Sequence, residues 1–194
     1  LKNCLLIAAD SYSSPAEIFL APSTAMAIAE YFRDQGRDVL VILDDLTTHA
    51  KYYREISLLL GAFPGRESYP GDIFHLHSKI LERAGCFKIK EKEASITCLP
   101  IAESVGGDFT GYIQTNLMSM TDGHIYFDSN LFASGQRPAI NVFLSVTRVG
   151  RQTQSALFRD LNAKILALLK KYESIQKFLR FGPELTAENK ASLS

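Results

Sequence analysis

The sequence carries no excess charge of either sign: 21 Lys and Arg residues balance 21 Asp and Glu residues over 194 positions. A chain so balanced has no overall electrostatic reason to seek nucleic acid or an anionic membrane surface, which leaves only a local basic patch open. Cysteine is scarce. Cys4, Cys86 and Cys98 are odd in number and far apart, without the paired C-x-x-C spacing of zinc and redox motifs, so buried free thiols in a reducing cytosol are expected. No apolar run approaches the roughly 20 residues of a spanning helix, and Leu1 to Ala9 is too short and lacks the basic flank of a signal peptide. Any membrane association is therefore expected through partners. The usual phosphate loop, G-x-x-x-x-G-K-[ST], does not occur, and no Gly-Lys dipeptide is found anywhere.

What is there is an ordinary globular composition, 46% hydrophobic and 22% charged, which excludes the disordered and collagen-like classes. The length suffices for one domain with a buried core and the start of another. The chain opens at Leu1 on an apolar run, which suggests a piece of a longer protein.

The continuous apolar run Cys4 to Ala9 predicts a strand buried on both faces of a parallel sheet. Pro15 to Gln35 has helical spacing, with Ala25, Ile28, Ala29 and Phe32 on one face and Gly36 as a stop. Asp38 to Asp45 reads as a second buried strand ending in two carboxylates. Strand, helix and strand form a crossover unit, the mark of a parallel sheet covered by helices. Thr47 or Thr48 is expected to cap the next helix, which carries Tyr53, Ile56, Leu59 and Leu60 and breaks at Pro64-Gly65. A helix follows over 73–84, then a solvated charged turn over 88–93, with further strands expected over 95–101, 113–120 and 140–146. From Gln152 the spacing is helical, with a stripe of Leu157, Leu161, Ile165, Leu168 and Leu169 ending near Tyr172. A short helix over 174–181 and its Gly182-Pro183 stop complete the pattern. The expected division is an α/β domain over 1–150 and the start of a helical domain over 151–194, with the boundary near Arg151.

An acid at the tip of a buried strand, as at Asp44, is what a Walker-B site needs to hold magnesium, usually through water. The pattern is weak by itself, since most such acids cap loops. His75 and His77 lie two apart on a helix and point to different faces, which argues against a metal pair there, while His49 and His124 look isolated. Pro70-Gly71 favours a plain turn, and Gly106-Gly107 a flexible connection without phosphate-loop spacing.

The phrase from Pro64 to Asp72, followed by Leu76-His77-Ser78 and Leu81-Glu82-Arg83-Ala84, closely resembles the alpha subunit of F-type rotary ATP synthases. So do Glu30-Tyr31-Phe32-Arg33-Asp34, Asp44-Asp45-Leu46, and the runs Arg137 to Val142 and Ser145 to Gly150. The resemblance covers nearly the whole chain in order, and Gly150 after Arg148-Val149 is alpha-like rather than beta-like.

The resemblance implies an α/β fold with a RecA-like, mostly parallel sheet flanked by helices, followed by the start of an α-helical C-terminal domain. It implies a hexamer in which alpha alternates with a catalytic beta subunit around a gamma shaft, with delta and stator subunits as further partners. ATP or ADP and Mg2+ are the implied ligands, for synthesis or hydrolysis coupled to proton or sodium transport. The implied location is the cytoplasmic face of the cell membrane, held there through the complex. Arg148 matches the arginine finger that reaches the terminal phosphate bound by beta, and Ser145 the position marked as required for activity. Thr110 matches an interface position that is usually serine. Asp44 matches the magnesium-side acid of the non-catalytic site, and Arg137 and Pro138 match the flank of its adenine pocket.

The chain departs from the family pattern at Phe143, at Gln114, which replaces a proline, and at Gly61-Ala62-Phe63, where a basic pair is common. Two other readings fit parts of the sequence. One is a ring-assembly paralogue without nucleotide binding; the other is a RecA-like RNA translocase, against which balanced charge and the lack of an RNA-binding motif argue. The isolated chain, without a phosphate loop, is expected to be inactive.

Overall fold

Ser14 and Glu17 set the first helix by a reciprocal bond: the Glu17 amide donates to Ser14 Oγ at 3.3 Å and the Ser14 amide to Glu17 Oε2 at 2.7 Å. With Pro15 at the first turn, helix α1 runs Pro15–Asp34 and ends where Gly36 takes a positive φ of 78°. The computed structural model describes residues 3–10, 12–104, 106–150 and 152–180. These fall into two compact units, Leu1–Arg148 and Val149–Ser194.

In the first unit β1 (Val39–Leu43) leads into α2 (Leu46–Leu59) and α3 (Ile73–Leu81). The hairpin of β2 (Gly85–Ile89) and β3 (Lys92–Pro100) follows. The sheet order is β1-β3-β2, with β1 parallel to β3 from Val39↔Ile96 to Leu43↔Pro100 and β2 antiparallel to β3. The sheet is thus mixed, whereas a mostly parallel one was expected. The charged stretch over 88–93 is the hairpin tip: Lys90 takes φ 56°, and Lys88 faces Glu93 across the strands.

The core lies on one face of this sheet. Met26 and Ala29 of α1, Leu46 and Ala50 of α2, and Ile73 and Ile80 of α3 close over Val41, Leu43 and Ile96. On the other face Leu40 and Ile42 are about half exposed or more, at 60% and 58%, so β1 is covered on one side only. In α2 the buried stripe is Leu46, Ala50 and Ser57 at helical spacing, with Leu59 and Leu60 outside it. Cys4 and Cys86 are exposed rather than buried, and only Cys98 is shielded, its thiol pushed up to about 11 by burial.

Three expected strands resolve differently. Residues 4–9 pair with no strand among the described residues, and Leu5 and Leu6 stand exposed. Residues 113–120 belong to helix α4 (Tyr112–Met120), whose buried residues Ile113 and Leu117 stand four apart on one helix face. Over 140–146, Asn141 Oδ1 accepts from the amides of Phe143 and Leu144 at 3.1 and 3.2 Å, and this side-chain turn competes with sheet pairing. Pairing resumes only at β5 (Val146–Thr147), antiparallel to β4 (Gly123–His124), with helix α5 (Ser129–Ala133) between them in sequence.

In the second unit, α6 runs Ala156–Arg180. A separate helix over 174–181 was expected, but no glycine or proline interrupts this stretch, and the helix continues through Ser174. Its stripe of Leu157, Leu161, Ile165 and Leu168 is exposed. The Arg151 boundary, Phe181 and the Gly182-Pro183 stop lie outside the described residues.

Candidate nucleotide and subunit-interface site

β1 delivers two adjacent carboxylates to the end of the sheet, and they have different work. Asp45, not Thr47 or Thr48, caps α2: its Oδ1 accepts from the Thr48 amide at 2.5 Å and its Oδ2 from the Thr48 hydroxyl at 3.0 Å. Asp44 is exposed beside it, across a cis peptide bond. The chain leaving β3 fixes this tip from both sides, because the Ile101 amide donates to Leu43 O at 2.9 Å and the Leu46 amide to Ile101 O at 2.9 Å. Thr47 serves here too, its Oγ1 accepting from the Glu103 amide at 3.0 Å. Gln114, one of the departures from the family pattern, donates from Nε2 to Glu103 O and so ties α4 to the same segment.

Arg148 follows β5 directly. Its amide donates to Asp122 O at 2.6 Å, extending the β4–β5 ribbon, and its Nη1 donates to Ser119 O in the last turn of α4. The residue is exposed. A guanidinium has five donors in a fixed fork, so a bond to one carbonyl leaves others for an anion.

Ser145 is a brace for this ribbon. Its hydroxyl donates to Asn141 O at 2.7 Å and accepts from the Tyr126 amide at 3.0 Å. Tyr126 in turn donates from its phenol to Gly107 O at 2.8 Å and meets Phe109 edge-on, with ring centroids 5.1 Å apart. Ser145, Arg148 and the loop before α4 are therefore one connected assembly. Thr110 lies in that loop, its amide and hydroxyl both held by Asp108 Oδ1 at 2.8 and 2.6 Å, bonds that also hold the Asp108 carboxyl below its usual range.

Arg137 and Pro138 stand apart, just after α5, joined by a cis peptide bond. The Arg137 guanidinium lies 3.5 Å over the Phe132 ring, and its Nη1 donates to the carbonyls of Phe132 and Gln136 at 2.7 and 2.8 Å. The strand end that carries Asp44 is linked to the Arg148 assembly through the segment over 101–103 and α4.

Among the described residues, no three His, Cys, Asp or Glu side chains converge as a metal site. One exposed carboxylate at a strand tip still suits magnesium, which keeps several waters and takes its remaining oxygens from phosphate.

Sequence reasoning missed two features. His49 is buried against His77, while His124 Nε2 donates to Leu144 O at 2.8 Å, so neither His49 nor His124 is isolated. Asp128 caps α5 through the Asn130 amide at 2.9 Å and accepts from Asn141 Nδ2 at 3.0 Å; the capping pattern Asp128-Ser129-Asn130 is its only trace in the sequence.

Comparison with known proteins bears on the whole chain. Residues 1–147 match the ATP synthase alpha/beta family, nucleotide-binding domain. The protein named ATP synthase subunit alpha from Carsonella ruddii (strain PV) is 46% identical over 201 residues, covering 100% of this chain and 42% of the relative. Its namesake from Dictyoglomus turgidum (strain DSM 6724 / Z-1310) is 47% identical over 193 residues, covering 100% of this chain and 38% of the relative. The chain thus spans about two fifths of the length of these curated relatives.

Proposed function

The chain belongs to the ATP synthase alpha/beta family, and we propose that it serves as part of a non-catalytic, regulatory alpha subunit whose Arg148 completes the ATP site of an adjoining beta subunit. The observation that supports this reading most directly is the setting of Arg148: exposed at the end of a two-stranded ribbon, with its backbone and one guanidinium nitrogen anchored. A finger must present a fixed fork at a subunit surface, and an exposed, anchored guanidinium suits that need. Guanidinium stays ionised and offers paired donors to phosphate oxygens as negative charge redistributes in the transition state. Such a residue contributes about 10³ to 10⁵ in rate.

In this reading residues 1–150 are part of a RecA-like nucleotide-binding domain and 151–194 the start of a helical one. Asp44 holds Mg2+ through water beside bound ATP or ADP, and that ion neutralises phosphate charge. Arg137 and Pro138 flank the adenine. Ser145 and Thr110 position the interface, Ser145 by bracing the ribbon that carries Arg148. The beta subunit is the direct partner, with the gamma shaft and the delta and stator subunits completing a proton- or sodium-translocating complex at the cytoplasmic face of the membrane. No described helix is long and apolar enough to cross a membrane.

The test is trapping of ADP with aluminium fluoride, a mimic of the transferring phosphoryl group, in the assembled alpha/beta complex. With Arg148→Ala, assembly should persist and trapping at the beta sites should be lost. Trapping at the wild-type level would remove the finger role.

A further inference from the structure

Three helices meet on a pair of imidazoles. His49 Nδ1 on α2 lies 3.1 Å from His77 Nε2 on α3, and His49 Nε2 lies 3.1 Å from the carbonyl oxygen of Phe19 on α1. The Phe19 ring stacks on His49 with centroids 5.4 Å apart. His49 is 2% exposed and His77 is 0% exposed.

The protons in this cluster can be assigned from one carbonyl. A carbonyl oxygen only accepts, so the bond to Phe19 puts a proton on His49 Nε2. A neutral imidazole has one N–H, so His49 Nδ1 must accept, and the proton between the rings belongs to His77 Nε2. His77 Nδ1 is then a bare acceptor, buried and without a hydrogen-bond partner.

We propose that the His49–His77 pair is an acid-sensitive lock between α1, α2 and α3, closed only while both rings are neutral. A proton added at His49 Nδ1 either sets two donors against each other across 3.1 Å or drives the His77 proton to the buried Nδ1, which has no partner to receive it. One added at His77 Nδ1 creates a charge with nothing to solvate it.

Four ionisable groups on or at the surrounding helices have their hydrogen bonds elsewhere. Glu17 caps α1 through Ser14, and Glu30 is bound to Arg83. Asp45 caps α2 through Thr48, and Tyr53 is bound to Asp72 at the head of α3.

Burial, with the neighbouring ring adding to it, pushes His77 down to about 4 from the usual 6.5. Burial also lowers His49, partly offset by the Phe19 bond. Both folded values are depressed, so an opened state takes up protons that the closed state refuses. The lock is fully favoured above the ordinary value of 6.5 and weakens as pH falls from there toward about 4. Opening should grow about tenfold per pH unit for each imidazole that must charge.

The test uses the full chain. Two-bond proton–nitrogen spectra of the imidazoles at about pH 7 should show both rings with the proton on Nε2, and neither ring should titrate near its ordinary value. Amide exchange in α2 and α3, corrected for its intrinsic pH dependence, should report opening that rises well above tenfold and toward about a hundredfold per unit below about pH 6, since two imidazoles must charge. In His49→Gln the amide can still donate to Phe19 O while one titrating group is gone, so the rise should fall to about tenfold. A ring titrating near 6.5, or a proton on His49 Nδ1, would overturn the proposal, as would an unchanged rise in the variant. The spectra of the wild-type chain decide the matter even where the variant does not fold.

Discussion

Arg148 donates from its guanidinium to the carbonyl oxygen of Ser119, so the last turn of α4 holds the side chain that follows β5. The backbone under it is equally constrained. Gly123 lies opposite Thr147, and a Cβ on Gly123 would come 2.6 Å from Val146 O and 3.0 Å from Thr147 Cα, both backbone atoms of β5. Gly123→Ala should therefore pry β4 from β5, costing about 1 to 3 kcal/mol of stability. It should lower turnover of the assembled complex by shifting Arg148. Chemical denaturation and steady-state hydrolysis measure the two effects; full turnover with a folded ribbon would separate Gly123 from the site.

Asp44 and Asp45 should separate cleanly by mutation. Asp45→Ala removes the α2 cap and should cost about 1 kcal/mol of stability. Asp44→Asn should leave stability within about 0.5 kcal/mol, as for an exposed surface change. It should weaken magnesium-dependent nucleotide binding by the complex. Denaturation midpoints and a nucleotide titration with and without magnesium check this pair, and the reverse assignment of effects would refute it.

Ser145→Ala removes a hydroxyl that both donates to Asn141 O and accepts from the Tyr126 amide. Asn141 O keeps its bond from the Ser145 amide, so a loss of about 1 to 3 kcal/mol is expected from the Tyr126 amide left without its acceptor. Because Ser145 acts as a brace, the variant should lower kcat more than it alters nucleotide affinity. An affinity loss with kcat intact would indicate direct nucleotide contact.

Glu30 and Arg83 belong to two separate family-like stretches, and the fold joins them by a fork: Nε to Oε1 at 2.9 Å and Nη2 to Oε2 at 2.6 Å. The bond to Arg83 holds the Glu30 carboxyl below its usual 4.5. That sign makes the pair's contribution complete above about pH 4.5 and lost as pH falls further. A double-mutant cycle of Glu30→Gln and Arg83→Met should give a coupling of about 1 to 2 kcal/mol at neutral pH. A coupling near zero would make the fork incidental.

Helices with clear signals were legible in the sequence. Pro15, Gly36 and the spacing between them specify α1, and Leu76 with Ile80 marks α3. β1 was legible as a strand but not as one-sided, because a run of Val, Leu and Ile looks the same whether one face or both are covered. α4 was misread because Ile113 and Leu117, four apart, lie on one face in either period over so short a stretch. The segment over 140–146 was misread because hydropathy does not register the Asn141 side chain competing for backbone amides. The candidate site was legible only as far as residue types at motif positions. That Asp45 caps a helix and Ser145 braces a ribbon depends on partners 3 to 19 residues away. The His49–His77 contact spans 28 residues and had no local signal at all.

In the proposed assembly Arg148 acts in trans. Steady-state ATP hydrolysis by the assembled alpha/beta complex carrying Arg148→Ala tests it most directly, with native mass measurement to show that the ring is intact. A fall of about 10³-fold or more in an intact ring is the predicted result; turnover within a few-fold of wild type would contradict it.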